Sequence, residues 1–174
     1  MKTKKNVSLL LLVFAGALLS FQSPADIERM DNQTFVNKAA ASNTFEIEAG
    51  KLATKKAQNN EVKKFGQKMV DDHTRVGKEM KTLAESKNLE VPKTLPPAKV
   101  SDLEKLRSAT DENFDNVFMG IMVKSHQEAV DLFSDASGAN GVTDNDLKAF
   151  AAEKLPALQM HLKMAKELQT KMNN

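Results

Sequence analysis

Four stretches of roughly 25–30 residues carry apolar side chains at the three-and-four spacing of an α-helix, with short breaks or a proline-rich link between them. The first starts behind Thr34 as N-cap and runs to about Gln58, with Phe35, Ala39, Ser42, Ala49, Ala53 and Ala57 on one face. The second, with Asn60 as N-cap, runs to about Asn88 and aligns Val62, Phe65, Met69, Val76, Met80 and Leu83. The third spans Asp111 to about Ala136 and aligns Phe114, Phe118, Met119, Met122, Ala129, Val130 and Phe133. Thr143 caps the fourth, which runs from Asp144 to about Met172 along Leu147, Ala151, Leu155, Leu158, Leu162, Ala165 and Leu168, with a bend expected at Pro156. A helix with one apolar stripe must bury it against others, so the expected fold is all-α.

Residues 89 to 110 join the second and third helices, a connection far longer than a hairpin needs. Pro92, Pro96 and Pro97 forbid a continuous helix there, and Ser101 with Glu104 reads as a capping box for a short helix ending near Arg107. Two helix pairs with a long middle link describe a four-helix bundle of ferritin-like topology. An up-down-up-down bundle with the link folded over one end is the alternative.

The stripes are interrupted by polar residues. The pattern Phe-x3-Met-Val-x2-His occurs at Phe65 to His73 and again at Phe118 to His126, so two of the three histidines occupy matching places. The third, His161, lies at the edge of its stripe. Glu46 falls in the middle of the small-residue face of the first helix, where an acid is costly unless paired, protonated or bound to a metal. Asp72 borders the second stripe, and Asp115 shares the face of His126. Counting rise from the turns places Glu46, His73 and His126 level near mid-height, at ~1.5 Å per residue. His161 falls several ångströms away by the same count, between the levels of His126 and Asp115.

These six residues, Glu46, His73, His126, Asp72, Asp115 and His161, are the candidate ligands of a transition metal. Imidazole with carboxylate suits Zn, Fe or Mn, and sulfur from Met69, Met119 or Met122 would favour Cu. A ferritin-type di-iron centre lacks its Glu-x-x-His pairs, because Val70, Val123 and Leu158 stand three residues before the histidines. The competing reading is a buried polar network that fixes helix register without metal. A histidine–acid network responding to mild acid lies between the two. Nucleophilic catalysis has no sequence support: there is no Cys, no Ser nucleophile context and no phosphate-binding glycine loop.

Residues 1–25 have the build of a secretory signal. Lys2, Lys4 and Lys5 precede an apolar run from Val7 to Phe21, and Ser23 and Ala25 offer small residues before a cleavage point after Ala25. The run is short for a spanning helix; if retained, it would leave the protein associated with the envelope. Residues 26–174 would then be one exported, periplasmic bundle domain. The full chain has 25 basic and 23 acidic residues; without the three leader lysines the balance is 22 to 23, a net of −1. Such a surface carries no electrostatic footprint for nucleic acid and no strong membrane signal. Without cysteine there is neither a disulfide nor an N-terminal lipid anchor.

The ordered motifs Phe45-Glu46 to Ala53, Val62 to Thr74, Phe114-Asp115 to His126, and Leu155-Pro156 to Leu162 resemble the bacterial domain-of-unknown-function family 4142 over residues 32 to 170. Members are often labelled outer-membrane proteins, although nothing in this chain reads as a β-barrel strand series. The resemblance implies a secreted ferritin-like bundle and leaves the activity unassigned. Such proteins commonly carry Tyr where this chain has Phe118. Two functions follow as expectations: a metal-binding accessory protein, or a non-enzymatic envelope protein with a structural or stress role.

Overall fold

The structure, a computed structural model, describes residues 29–173, so the expected leader over residues 1–25 lies outside the described residues. Five α-helices follow in order: α1 Asn32–Lys56, α2 Asn60–Ser86, α3 Pro97–Ser108, α4 Asp111–Ser137 and α5 Asn145–Asn173. Four of the five helix starts differ from the sequence reading, each for a local reason. Asp31, not Thr34, caps α1, accepting from the Thr34 N–H at 2.8 Å. Asn59 takes the role expected of Asn60 and accepts from the Glu61 and Val62 N–H groups. At α3, Pro97 opens the helix, where its fixed φ and missing N–H cost nothing. Ser101 therefore lies inside α3, one turn past its start, and does not cap it. At α5 the cap is Asp144, which accepts from Asp146 and Leu147, while Thr143 turns aside to bond Asn32 Oδ1.

Helix ends are equally specified. Asn88 adopts φ 55°, and Leu89 N–H reaches back to the Ala84 carbonyl while Asn88 N–H reaches Glu85, a Schellman stop with Asn in place of Gly. Lys56 of α1 donates to the Leu106, Arg107 and Ala109 carbonyls, satisfying the open end of α3.

Helices α1 and α2 pack as one antiparallel pair and α4 and α5 as another; α1 also packs on α4, whereas the seam between α2 and α5 is thin. The core forms two apolar layers. One contains Phe45, Ala53, Val62, Phe65, Phe114, Phe118 and Ala165, together with Leu103 and Leu106 of α3. The other contains Phe35, Ala39, Met80, Ala84, Ala129, Phe133, Leu147 and Leu158. Because α2 ends and α4 begins in opposite layers, the link through α3 must travel the length of the bundle. The order is up-down-down-up, the ferritin-like crossover, and the simple up-down-up-down alternative is excluded.

The α1–α2 pair is unusually close. A Cβ built on Gly50 would lie 2.6 Å from the Gly66 carbonyl oxygen, and one on Gly66 would lie 2.6 Å from Ala53 Cβ. Glycine is required at this crossing, which sits one turn from Glu46 and two turns from His73.

Candidate metal centre

Between the two apolar layers the four long helices each contribute a buried polar residue: Glu46 from α1, His73 from α2, His126 from α4 and His161 from α5. Their relative exposures of 0, 6, 0 and 3 % rule out water as a general partner. The imidazoles form a triangle with ring centroids 5.9 Å (His73–His126), 5.6 Å (His73–His161) and 5.5 Å (His126–His161) apart. One nitrogen from each lies within 4.8 Å of the other two.

In each histidine the other nitrogen is committed elsewhere. His73 Nδ1 pairs with Asn43 Oδ1 at 3.1 Å, His126 Nδ1 with the Met122 carbonyl at 2.9 Å, and His161 Nε2 with Asp72 Oδ2 at 3.0 Å. All three partners are acceptors, so in the neutral imidazoles the outer nitrogen carries the proton and the inner one is free to bind a metal, while in the metal-free protein Glu46 favours a second proton on His73 Nε2. Those inner atoms, His73 Nε2, His126 Nε2 and His161 Nδ1, are buried without a hydrogen bond, as is Glu46 Oε2. None of the four has a hydrogen-bond partner outside the group, against the usual pairing of buried polar groups.

The carboxylate is held from behind. Ser125 Oγ donates to Glu46 Oε1 at 2.8 Å, and Lys99 of α3 donates to Ser125 Oγ at 3.2 Å while its ammonium lies 4.8 Å from the Phe45 ring centre. Glu46 Oε2 is 2.7 Å from His73 Nε2 and 3.3 Å from His126 Nε2. Burial alone would raise the Glu46 carboxyl, but His126 and His73 hold it well below the usual carboxylate range. Burial likewise opposes a charged His73, yet Glu46 outweighs it and lifts His73 above its ordinary value. His161 goes the other way: burial, with His126 and His73 adding to it, pushes it down to about 4.

The six sequence candidates therefore divide. Glu46, His73 and His126 meet as the rise count indicated. His161 meets them too, against the expectation that it would lie several ångströms off their level. From His126 to the end of α4 is 11 residues, and from the start of α5 to His161 is 16. A flush turn would separate them by roughly 7 Å at 1.5 Å per residue, and the loop 138–144 takes up that offset. Asp72 stands behind His161 rather than in the triangle, with its oxygens also taken by Lys68 and Arg75. Asp115 is not in the group. Its carboxylate accepts from the Gln58 and Asn59 N–H groups and fastens the α1–α2 turn at the end of the bundle.

Asn43 and Ser125 were missed. Asn43 is three residues before Glu46, on the same face, and that spacing was the available signal. Room for it comes from Gly77, where a Cβ would lie 2.6 Å from the Asn43 amide nitrogen. Met69, Met119 and Met122 are buried in the adjoining apolar layer.

The family pattern described as Domain of unknown function (DUF4142) matches residues 18–168. The chain belongs to that family. Among solved structures, "CopM in the Cu(II)-bound form" matches this family member with a TM-score of 0.69 at 23% identity, covering 83% of this chain and 99% of that chain. A DUF305 fragment from Deinococcus radiodurans matches with a TM-score of 0.68 at 11% identity, covering 80% and 95%. At these identities the likeness is one of fold. No protein of curated function matches the sequence. Among the described residues no helix is long and apolar enough to cross a membrane.

Proposed function

We propose that this DUF4142 protein is an exported metal-binding protein that holds one transition-metal ion with His73, His126, His161 and Glu46. The observation that carries the reading is the convergence of three buried imidazole nitrogens, with Glu46 Oε2 against two of them and no hydrogen-bond partner outside the group. Metal–nitrogen bonds of ~2.0–2.1 Å place ligand atoms roughly 3.3 Å apart in a tetrahedron, so small side-chain rotations suffice to close the site. Asn43, Asp72, Ser125 and the Met122 carbonyl are the outer partners that orient such ligands and raise their basicity.

Three imidazoles and a carboxylate, without thiolate, accept Zn, Fe, Mn or Cu(II), and the order of divalent affinities puts Cu(II) first. The shared fold of CopM in its Cu(II)-bound form is consistent with that choice. The basic, apolar, small-residue sequence of residues 1–25 supports export. Binding and holding the ion, rather than turnover, is the function assigned.

Protein purified without a His-tag and dialysed against Cu(II) or Zn(II) should retain one equivalent and melt at a higher temperature. Less than a tenth of an equivalent, with no thermal shift from Cu, Zn, Fe or Mn, would refute the proposal. The close Glu46–His73 ion pair favours one other reading, an envelope protein whose cluster only fixes helix register. With Glu46→Met added to remove the stranded charge, that reading requires His73→Leu and His126→Leu to leave both fold and envelope phenotype intact, whereas the metal reading requires the phenotype to be lost with the fold retained.

A further inference from the structure

Lys99 stands where a helix does not favour a cation, in the first turn of α3, at the positive end of the helix dipole. Its side chain turns inward over the seam of α1 and α4. The ammonium lies 4.8 Å from the Phe45 ring centre, 3.0 Å from Glu128 Oε2 and 3.2 Å from Ser125 Oγ. An ammonium only donates, so Ser125 Oγ accepts from it and keeps its own single hydrogen for Glu46 Oε1, at 2.8 Å. Other helical serines behave differently. Ser86, Ser108 and Ser137 turn their hydroxyls back onto carbonyls of the preceding turn, the common bond of a serine inside a helix. Ser125 is instead aimed at the carboxylate.

That hydrogen bond bears on coordination number. Each imidazole has committed its outer nitrogen to Asn43, Met122 or Asp72 and offers a bound ion one atom. Glu46 is the member of the group that could give either one oxygen or two. With Oε1 taken by Ser125 and Oε2 set against His73 and His126, it gives one. Three nitrogens and one oxygen suit Zn(II) and Cu(II), which accept four ligands. The same set leaves Mn(II) short of the octahedral, oxygen-rich shell it favours.

We infer that Lys99, acting from the crossover helix through Ser125, restricts Glu46 to one coordinating oxygen and so sets the centre for four-coordinate ions against Mn(II). The inference rests on the metal reading above. Lys99 is a positioning residue in this role, since it acts on selectivity through another side chain. Zn(II) outbinds Mn(II) at almost any site of this kind, so the test reads the change in their affinity ratio rather than its sign.

Co(II) is the probe, because the four-coordinate ion absorbs far more strongly in the visible than the five- or six-coordinate ion. Loaded with one equivalent, the unaltered protein should show the strong bands. Lys99→Met keeps the apolar stem but lets the Ser125 hydroxyl turn back to the Ile121 carbonyl, and Ser125→Ala removes the hydroxyl outright. Both variants should still bind one equivalent, lose band intensity and lower the Zn(II)/Mn(II) affinity ratio by about tenfold, the low end of what outer partners of metal ligands contribute. Lost packing alone would lower the melting temperature and leave both readouts of the folded, loaded protein unchanged. Weak bands in fully loaded unaltered protein overturn the inference alone. So do the unaltered spectrum and ratio in folded Lys99→Met, or in Ser125→Ala should Lys99→Met not fold. Failure of Co(II), Zn(II) and Cu(II) to bind the unaltered protein overturns the metal reading and the inference with it.

Discussion

Removing His73 from the metal-free protein tests whether Glu46 is ionised in the interior. Glu46 is fully buried and faces His73 Nε2 at 2.7 Å, His126 Nε2 at 3.3 Å and the Ser125 hydroxyl at 2.8 Å. At an effective dielectric of ~20 the closest contact is worth about 6 kcal/mol before desolvation is subtracted. His73→Leu keeps the volume but strands the carboxylate with one imidazole and one hydroxyl. Breaking a buried pair in this way costs about 3–5 kcal/mol, which in a chain of this size lowers the melting temperature by on the order of 10 °C. Adding Glu46→Met removes the stranded charge and should return most of that loss, because replacing both members of a buried pair is nearly neutral. Urea unfolding in the presence of a chelator, with equal slopes for all variants, measures both steps. A single variant that loses under about 1 kcal/mol, or a double variant no more stable than the single, would refute the reasoning.

Other consequences are as direct. His161, lowered to about 4 from 6.5, contributes stability that is present above 6.5 and lost as pH falls towards 4, roughly 3 kcal/mol at ~1.36 kcal/mol per unit. His73, raised, contributes stability that is complete below 6.5 and lost as pH climbs through its folded-state value, so the metal-free protein should be most stable near neutrality. His161→Leu should flatten the acid limb of a stability–pH profile measured by urea melts, and an unchanged limb would contradict the assignment. Gly50→Ala drives a methyl against the Gly66 carbonyl and should cost about 1–3 kcal/mol, read as a lowered midpoint. Asp72→Asn and Asn43→Ala should weaken metal binding about 10–100-fold in calorimetric titrations. Asp115→Ala should cost about 1 kcal/mol through its lost caps and leave metal affinity unchanged.

Periodicity made the helices legible because a stripe of Phe, Met, Leu and Ala side chains has one way to be buried. It gives angle around a helix but not height along it. Asp115 and His126 share a face, yet 11 residues put them about 16 Å apart, and only the packed bundle shows that Asp115 belongs to the turn at its end. His161 was misplaced for the converse reason, since its level depends on how far the loop 138–144 carries the chain past the end of α4. The crossover was open in the sequence because a partly helical link of residues 89 to 110 is long enough either to span the bundle or to fold over one end. Its direction is set by contacts remote in sequence, among them Leu103 and Leu106 in the layer opposite the end of α2 and Lys56 on the end of α3. Capping errors were local contests: Pro97 at the first helical position outweighed the Ser101 box, and Asp144 outcompeted Thr143 next to it.

The central claim is that four specific atoms hold one ion. Anomalous diffraction from crystals of the Cu(II)- or Zn(II)-loaded protein tests it most directly. The expected result is a single peak inside the bundle, bonded at ~2.0–2.2 Å by His73 Nε2, His126 Nε2, His161 Nδ1 and Glu46 Oε2. A loaded protein whose metal sits only on surface residues, with the triangle unchanged and empty, would contradict it.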